Sequence, residues 1–261
     1  MFTRRRLLAL GLALPFAVAA CGDDGEDGAA STGDVTIGTP TAEGASTPAI
    51  PPATGTATLA ASATPSPARL RLDDLSGFAF PIAGACLPDS DNLMPNAPRT
   101  YRMGVHEGVD FYPSLACAPI VKGTAVLAMF DGTITRADLG YEELTPAVLA
   151  KLRADTAAAG TTPPDVLDAY RGRQVWVDHG QGVVTRYCHL ASIPSGIAVG
   201  ARVRQGEQLG GVGESGTPES IEAPGTEIHL HAEVRVAGGF LGQDLAPGTV
   251  RALYTRLFTA G

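Results

Sequence analysis

The stretch Glu227-Ile-His-Leu-His-Ala-Glu-Val-Arg-Val236 organises the interpretation of this sequence. Its alternating pattern predicts a β-strand, in which successive side chains point to opposite faces. Every second residue from His229 to Arg235, including His231 and Glu233, would then share a solvent-facing side, while the apolar residues between them face a core. Two imidazoles about 7 Å apart along a strand suit a site where one binds a metal ion and the other transfers protons. We therefore expect their partners elsewhere in the chain.

The composition favours a β-rich fold. The chain has 261 residues, with 32 glycines and 20 prolines but only 6% aromatic residues, which favours strands and turns over a helical bundle. A formal net charge of −8 argues against nucleic acid as the main ligand. The sequence gives no firm indication of the oligomeric state.

The N-terminal part of the chain is predicted to precede the folded domain. Residues 1–20 combine a basic start with a short apolar run, as in a signal peptide. The run ends in Cys21 within a stretch that resembles a lipoprotein cleavage site, so we expect lipidation there; the alternative is an ordinary cleavage site with an incidental cysteine. Residues 21–70 are rich in Ala, Thr, Pro and Gly and predict a disordered tether. The domain at 71–261 would then be exported and anchored to the outer face of the cytoplasmic membrane or to the outer membrane.

Short strands are predicted through most of this domain. Two pairs of apolar runs, separated by turns that contain glycine, predict hairpins at residues 124–137 and 173–190. Two further strands are expected at Phe78–Ile82 and Val109–Tyr112, and a terminal helix at Pro247–Phe258.

Residues 139–172 depart from this pattern and predict a helical insertion. Thr145-Pro146 is a typical helix start and Gly160 a typical end, and a second short helix follows through Tyr170. The insertion would either pack as a decoration on the β-core or form a wall or lid over a groove.

The stretch His106-Glu-Gly-Val-Asp110 supplies candidate metal ligands. Imidazole nitrogen and carboxylate oxygen suit zinc, and Gly108 would let the chain turn between the two ligands. A third ligand from His231 would complete the set and leave a fourth position for water, as in catalytic zinc sites.

The stretch Tyr187-Cys-His-Leu190 supplies a candidate for proton transfer. By strand alternation, His189 shares a face with Tyr187, and Cys188 points the opposite way. If the two strands are neighbours, His189 would meet His229 beside the metal, where an imidazole can accept a proton from water and deliver it to a leaving amine. The set suits amide hydrolysis.

The chain resembles the lysostaphin/LytM-type zinc metallopeptidases, which cut the peptide part of bacterial peptidoglycan, over roughly residues 77–240. The resemblance implies a mainly β fold, with an antiparallel β-sheet core of the duplicated hybrid motif type and a long groove. The likeness rests on His-Glu-Gly-Val-Asp (106–110), Gly-Thr-Ala-Val-Leu-Ala (123–128), Asp-Gly-Thr-Ile (131–134), Tyr-Cys-His-Leu (187–190), Gly-Val-Gly-Glu-Ser-Gly (211–216) and His-Leu-His (229–231).

The resemblance also implies the roles of the site residues. His106, Asp110 and His231 would bind Zn²⁺, and His189 with His229 would form the catalytic pair of an endopeptidase that hydrolyses peptidoglycan. Some relatives have lost ligands and only activate other wall hydrolases, so the alternative is a non-catalytic or latent wall-binding module. A zinc peptidase that acts on proteins or Gly-rich peptides would share the same site. The helical insertion and residues 219–226 depart from the family pattern and could reshape the groove.

Other polar residues have more than one interpretation. Tyr101 and Tyr187 would either contact the substrate or the oxyanion on the attacked carbonyl, or pack in the domain. Glu233 would orient a metal ligand. His179 would be a solvated turn residue or a contact at the groove edge.

The cysteines predict one disulfide. With Cys21 assigned to the lipid, three remain in an oxidising compartment, so one is unpaired. Cys86 and Cys117 flank the segment that carries His106, and we expect them to be bonded. Cys188 is expected to be a buried free thiol, and a poor ligand because it would face away from His189.

Overall fold

The computed structural model describes residues 75–259, which lie within one compact unit of the chain. The predicted signal peptide, Cys21, the whole tether and residues 71–74 of the predicted domain lie outside the described residues. Within the described range, no helix is both long and apolar enough to cross a bilayer. The strands are β1 Pro98–Arg99, β2 Gly104–Val105, β3 Val109–Phe111, β4 Ala125–Leu127, β5 Gly132–Ala137, β6 Val175–Asp178, β7 Val183–Cys188, β8 Leu190–Ser192, β9 Arg202–Val203, β10 Gln208–Val212, β11 Leu230–Val236 and β12 Gly239–Phe240, and the helices are α1 Pro146–Ala159, α2 Pro164–Tyr170, α3 Glu219–Glu222 and α4 Pro247–Leu257.

Two antiparallel sheets form the core. The larger one has the order β12-β11-β7-β6-β5-β9, with β3 paired to β11, and the smaller one has the order β4-β10-β8. One apolar cluster joins them, because it contains Val177 and Leu230 from the larger sheet and Val126 and Leu209 from the smaller. This confirms the predicted mainly β, antiparallel fold.

Strand β11 lies between the elements that carry the predicted site. His231 is directly opposite Cys188 on β7, and on the other edge it is directly opposite Asp110 on β3. Directly opposed residues of antiparallel strands share a face of the sheet. The pairing therefore places Asp110, His231 and Cys188 on one face, while Leu230 and Ala232 face the core.

The predicted strand at Phe78–Ile82 is wrong. These residues are buried in part, but their backbone hydrogen bonds are divided between Leu257 at the end of α4 and the segment with Leu127 and Met129, and they form no regular strand. Pro81 has no N–H group to donate, so a continuous ladder with one neighbour does not form.

The predicted hairpin at residues 124–137 is also wrong. β4 pairs with β10 in the smaller sheet, whereas β5 pairs with β6 and β9 in the larger one. At Asp131-Gly132 the chain passes from the smaller sheet to the larger one. The Asp131 carboxylate accepts the N–H of Gln205 at 2.7 Å, so a loop that is distant in sequence holds this connection in place. The second predicted hairpin is present as β6–β7.

The helical insertion lies between β5 and β6, which pair directly with each other. Thr145 caps α1 by accepting the N–H of Val148, and Gly160 ends the helix in the left-handed conformation. Arg153 on α1 forms an ion pair with Glu222 on α3. The insertion therefore contacts residues 219–226, the other region that departs from the family pattern. The two regions share a small apolar cluster made of Leu149, Leu152, Val166 and Tyr170, with Ile221 packed against it.

Candidate metal centre

Three candidate ligand atoms meet on the face shared by β3 and β11. His106 Nε2 lies 2.9 Å from His231 Nδ1 and 2.9 Å from Asp110 Oδ1. His231 Nδ1 lies 2.8 Å from the same carboxylate oxygen. All three side chains are buried. The structure thus brings together the three residues that the sequence predicts as ligands.

In both His106 and His231, the ring nitrogen that points away from Asp110 donates a hydrogen bond, so the other nitrogen presents its lone pair to the group of candidate ligands. His106 Nδ1 donates to the carbonyl of Met94 at 3.0 Å, and His231 Nε2 donates to Glu233 Oε1 at 3.1 Å. The other nitrogen of each neutral ring is then an acceptor. Two ring acceptors and a carboxylate oxygen face one another, an arrangement that is favourable around a cation. Two nitrogens and one carboxylate oxygen match the ligands of catalytic zinc, so the donor set fits that ion.

The pKa values of the three residues shift in different directions, each for its own reason. Burial lowers the pKa of His106 to about 4, so this ring is neutral. Burial alone would raise the pKa of Asp110, but contacts with His106 and His231 hold it well below its usual value. Burial also opposes the charged form of His231, but the hydrogen bonds to Asp110 and Glu233 outweigh it and raise the pKa.

Gly108 is needed because the chain passes very close to β11. A Cβ atom at this position would lie 3.0 Å from His231 Cε1 and would overlap the carbonyl of Ala232. Only glycine lets the segment between His106 and Asp110 lie against the strand at this distance. The requirement is close approach, whereas the sequence suggested a turn.

His189 and His229 lie beside the metal centre, with their ring centroids 4.7 Å apart. His189 Nδ1 donates to the carbonyl of Ser215 at 2.8 Å, and His229 Nδ1 donates to the carbonyl of Glu227 at 2.7 Å. The Nε2 atom of each neutral ring is therefore the acceptor. Burial lowers the pKa of both imidazoles, that of His189 well below its usual value, so both rings are neutral near pH 7.

His189 reaches this position in an unexpected way. Tyr187 is opposite Ala232 and faces the core, so regular alternation would also direct His189 into the core. However, β7 ends at Cys188, and His189 has a φ of 60°. This left-handed conformation turns its side chain to the face that carries His231. The prediction that His189 and Tyr187 share a face is therefore wrong.

Tyr187 is not available to a substrate. Its side chain is fully buried, and its hydroxyl accepts hydrogen bonds from the Met129 N–H at 2.7 Å and from Thr185 at 3.0 Å. Its suggested contact with substrate or oxyanion is wrong, and its role is packing. Tyr101, by contrast, lines the cleft with 63% of its surface exposed, so a contact with substrate is sterically open to it.

Cys188 is a buried free cysteine, but it lies on the site face. Its sulfur joins His231 and Glu233 in a second group of converging candidate ligand atoms. The argument that Cys188 faces away from the site is therefore wrong. Burial raises the pKa of the thiol well above its usual value, which keeps it protonated and makes it a weaker ligand than the atoms of the first group.

Glu233 lies at the centre of a buried ionic network. Its Oε1 atom accepts hydrogen bonds from His231 and, at 2.6 Å, from Arg171 Nε. Its Oε2 atom accepts from Arg186 at 3.4 Å and from Arg235 at 3.2 Å. Burial opposes its charge, but the hydrogen bond from His231 and the arginines hold its pKa below the usual value. Because His229, His231 and Glu233 are all buried, the expectation of a solvent-facing side on this strand is wrong at these three positions.

Sequence reasoning misses two residues of the site. The Tyr112 ring stacks on His229, with centroids 4.3 Å apart and an interplanar angle of 9°, and its hydroxyl donates to the Glu227 carboxylate. Arg99 donates to Asp110 Oδ2 at 2.8 Å. Alternation could have identified Tyr112, which is two residues beyond Asp110, but no local signal indicates Arg99.

The site residues line one cleft with a volume of about 420 Å³. Leu167 and Tyr170 of α2 line it, as do Thr217 and Glu219. The insertion therefore contributes a wall of the cleft, in addition to its own packing.

His179 lies outside this cleft. Its Nδ1 atom contacts the carbonyl of Asp131 at 2.7 Å, its Nε2 atom contacts the Thr185 hydroxyl at 2.9 Å, and its ring packs edge-on against Phe78. His179 does lie at the turn after β6, but it is half-buried with both ring nitrogens bonded to the protein, and the alternative of a contact at the groove edge is wrong.

A disulfide joins Cys86 to Cys117. The bond connects the start of the loop that leads to His106 with the segment that follows Asp110. It closes a covalent ring around both ligands.

The fold and the site define a mainly β domain with a histidine–aspartate group in a cleft that could hold a metal ion. The model of peptidase family M23 matches residues 104–242, more than half of the chain. The chain belongs to peptidase family M23, which confirms the resemblance at the level of the family.

Individual proteins show the same likeness. The chain is 38% identical over 117 residues to the cell division protein DipM of Caulobacter vibrioides (strain NA1000 / CB15N), a match that covers 45% of this chain and 16% of that protein. The chain thus spans a small part of that relative. Among solved structures it is similar to a zinc-containing peptidase from Vibrio cholerae (21% identity, 66% of this chain and 41% of that one, TM-score 0.40). It is also similar to the catalytic domain of the antimicrobial peptidase lysostaphin from Staphylococcus simulans (19% identity, 62% and 75%, TM-score 0.31).

Proposed function

We propose that this chain is a zinc-dependent endopeptidase that hydrolyses peptide bonds in peptidoglycan. One observation carries the proposal: the acceptor atoms of His106, Asp110 and His231 converge beside two neutral imidazoles in the same cleft. Membership of peptidase family M23 supports the reaction class. The motifs shared with the lysostaphin/LytM-type enzymes support the substrate.

His106 Nε2, Asp110 Oδ1 and His231 Nδ1 would hold the ion. Zinc at this position would supply a Lewis acid for the attacked carbonyl and would lower the pKa of the attacking water towards neutrality. Met94 and Glu233 fix the tautomers of the two histidine ligands, so the ligand atoms need little reorganisation when the ion binds.

His189 and His229 would transfer the protons. One Nε2 atom accepts a proton from the attacking water and later delivers it to the leaving amine. The other ring, when protonated, donates from Nε2 to the oxygen that gains negative charge. The Ser215 carbonyl binds Nδ1 of His189, and the Glu227 carbonyl binds Nδ1 of His229. In each ring this leaves Nε2 available for the substrate and the water. Tyr101 at the cleft would contribute a further contact with the substrate or the oxyanion.

The sequence also supports a location in the cell envelope. A signal peptide at 1–20, lipidation of Cys21 and a tether at 21–70 would place the domain outside the cytoplasmic membrane, within reach of the wall. This part of the proposal rests on the sequence pattern alone.

The test measures zinc content and the release of peptide fragments from purified peptidoglycan by the full chain, before and after treatment with a chelator. We expect about one zinc ion per chain, as in a site with three protein ligands and an open position. Release should stop on chelation and return with zinc.

Other outcomes identify the alternatives. A chain that binds zinc but releases nothing from any wall preparation would be the wall-binding activator. Cleavage of proteins without cleavage of peptidoglycan would indicate a zinc peptidase with another substrate. A chain that binds no zinc would contradict the ligand assignment.

A further inference from the structure

We propose that Arg171, supplied by the helical insertion, is a positioning residue for the metal centre. The inference rests on the proposed function, because it concerns how His231 is held as a ligand.

Arg171 is the residue that ends α2, and its guanidinium extends from the insertion into the β-domain. The residue is 7% exposed. Its Nε atom donates to Glu233 Oε1 at 2.6 Å, and its Nη2 atom donates to Glu107 Oε2 at 2.7 Å. Glu107 directly follows His106 in the chain. One side chain of the insertion therefore contacts carboxylates next to two of the proposed ligands.

Arg171 differs from the other two arginines around Glu233 in the oxygen that it binds. Glu233 Oε1, which accepts the proton of His231 Nε2, is also the oxygen that Arg171 binds. Arg186 and Arg235 bind Oε2, at the longer distances of 3.4 and 3.2 Å. Arg171 thus fixes the position of Glu233 Oε1. Because this oxygen orients the His231 ring, Arg171 also sets the direction of the Nδ1 lone pair that faces Asp110.

The backbone of the same segment contacts the proton-transfer half of the site. The carbonyl of Arg171 accepts the N–H of His189 at 2.9 Å. The next residue, Gly172, has a φ of 64° and lies so close to the Ser215 carbonyl that a Cβ atom would overlap it. Because that carbonyl holds His189 Nδ1, the end of the insertion is packed against both halves of the site.

The charge balance makes substitution of Arg171 a practical test. The buried network contains two carboxylates, Glu107 and Glu233, and three arginines. Without Arg171, Arg186 and Arg235 still pair with both carboxylates, so no buried carboxylate is left without a cation. We therefore expect the substituted chain to fold.

The experiment compares Arg171→Gln with Arg186→Gln, a matched control that removes an arginine from the other oxygen of Glu233. Zinc affinity is measured on the full chain by competition with a chromophoric chelator, and the absorption spectrum of bound Co²⁺ reports the ligand geometry. Arg171→Gln should weaken zinc binding by about 10-fold or more and alter the Co²⁺ spectrum, as loss of a group that orients a ligand does. Arg186→Gln should leave both close to the wild type, and Arg171→Lys should restore part of the affinity.

Two results would overturn the inference: wild-type zinc affinity and spectrum in Arg171→Gln, or equal losses in Arg171→Gln and Arg186→Gln. If circular dichroism shows that Arg171→Gln is unfolded, Arg171→Lys becomes the test, and a Co²⁺ spectrum and zinc affinity identical to those of the wild type would overturn it. Failure of the wild-type chain to bind zinc would instead overturn the proposed function itself.

Discussion

The two pairs of histidines in the cleft are held in different ways. His106 and His231 form the proposed ligand pair; His231 belongs to a strand, and its side chain is bonded to the Glu233 carboxylate. His189 and His229 form the proposed proton-transfer pair, and both lie just outside regular strands, with Nδ1 bonded to backbone carbonyls. His231 thus depends on strand pairing and a charged network, whereas the proton-transfer pair depends on loop conformation, as does His106 with its Nδ1 on the Met94 carbonyl.

This difference matches what each pair would have to do. Ligand atoms must stay close together around an ion, and a buried network of carboxylates and arginines resists their separation. A proton-transfer ring needs a fixed tautomer, which one carbonyl provides. The two pairs should therefore respond differently to substitution.

Replacement of a ligand should have the largest effect. His231→Ala removes one of three ligand atoms, Nδ1 beside Asp110, and leaves Glu233 Oε1 without the Nε2–H donor. We expect loss of stoichiometric zinc and of fragment release, measured by metal analysis of the dialysed chain and by chromatography of the released fragments. His179→Ala is the control, since His179 lies outside the cleft, and it should keep its zinc. Full zinc occupancy in His231→Ala would show that the ligand pair is assigned wrongly.

Replacement of His189 should separate activity from metal binding. His189→Ala removes a proton-transfer ring but no ligand atom, so zinc content should remain at the wild-type level while kcat falls by about 10²- to 10⁴-fold. Parallel measurement of zinc content and kcat checks both parts. Loss of zinc together with activity would remove the distinction between the two pairs.

Tyr112 provides a finer test of the proton-transfer pair. Its ring stacks on His229 and its hydroxyl binds the Glu227 side chain, so it restrains the imidazole from one side. Tyr112→Leu should remove about 0.5–1.5 kcal/mol of stacking and lower kcat roughly 3- to 10-fold with zinc retained. Tyr112→Phe keeps the ring and should lie closer to the wild type. Equal kcat values in the wild type and Tyr112→Leu would show that the stack does not position His229.

The strand-borne half of the site could be predicted from the sequence because alternation is a local property. The period of two correctly placed His229, His231 and Glu233 on one face. Applied from Asp110, it would also have indicated Tyr112, which the prediction missed. The disulfide partners could also be predicted, since only three cysteines remained for the folded domain.

The remaining features depend on contacts that are distant in sequence. The left-handed φ of His189 is stabilised by a hydrogen bond to Arg171 in the insertion, and no local pattern indicates it. The buried Glu233 is bonded to the same arginine, 62 residues away in the sequence. The false hairpin at 124–137 has a suitable turn sequence, but β4 and β5 find better partners in two different sheets.

His179 extends the comparison to a histidine that belongs to neither pair. Burial lowers its pKa, so the folded chain favours the neutral ring. Its contribution to stability should therefore be complete above the unfolded pKa of about 6.5 and should decrease as the pH falls from there through the folded pKa. The free energy of unfolding, measured by urea denaturation of the full chain at several pH values between 5 and 8, should fall more in the wild type than in His179→Gln. The difference should be no steeper than about 1.4 kcal/mol per pH unit, the limit for one proton. Parallel curves would show that the contacts with Asp131 and Thr185 are indifferent to the charge of the ring.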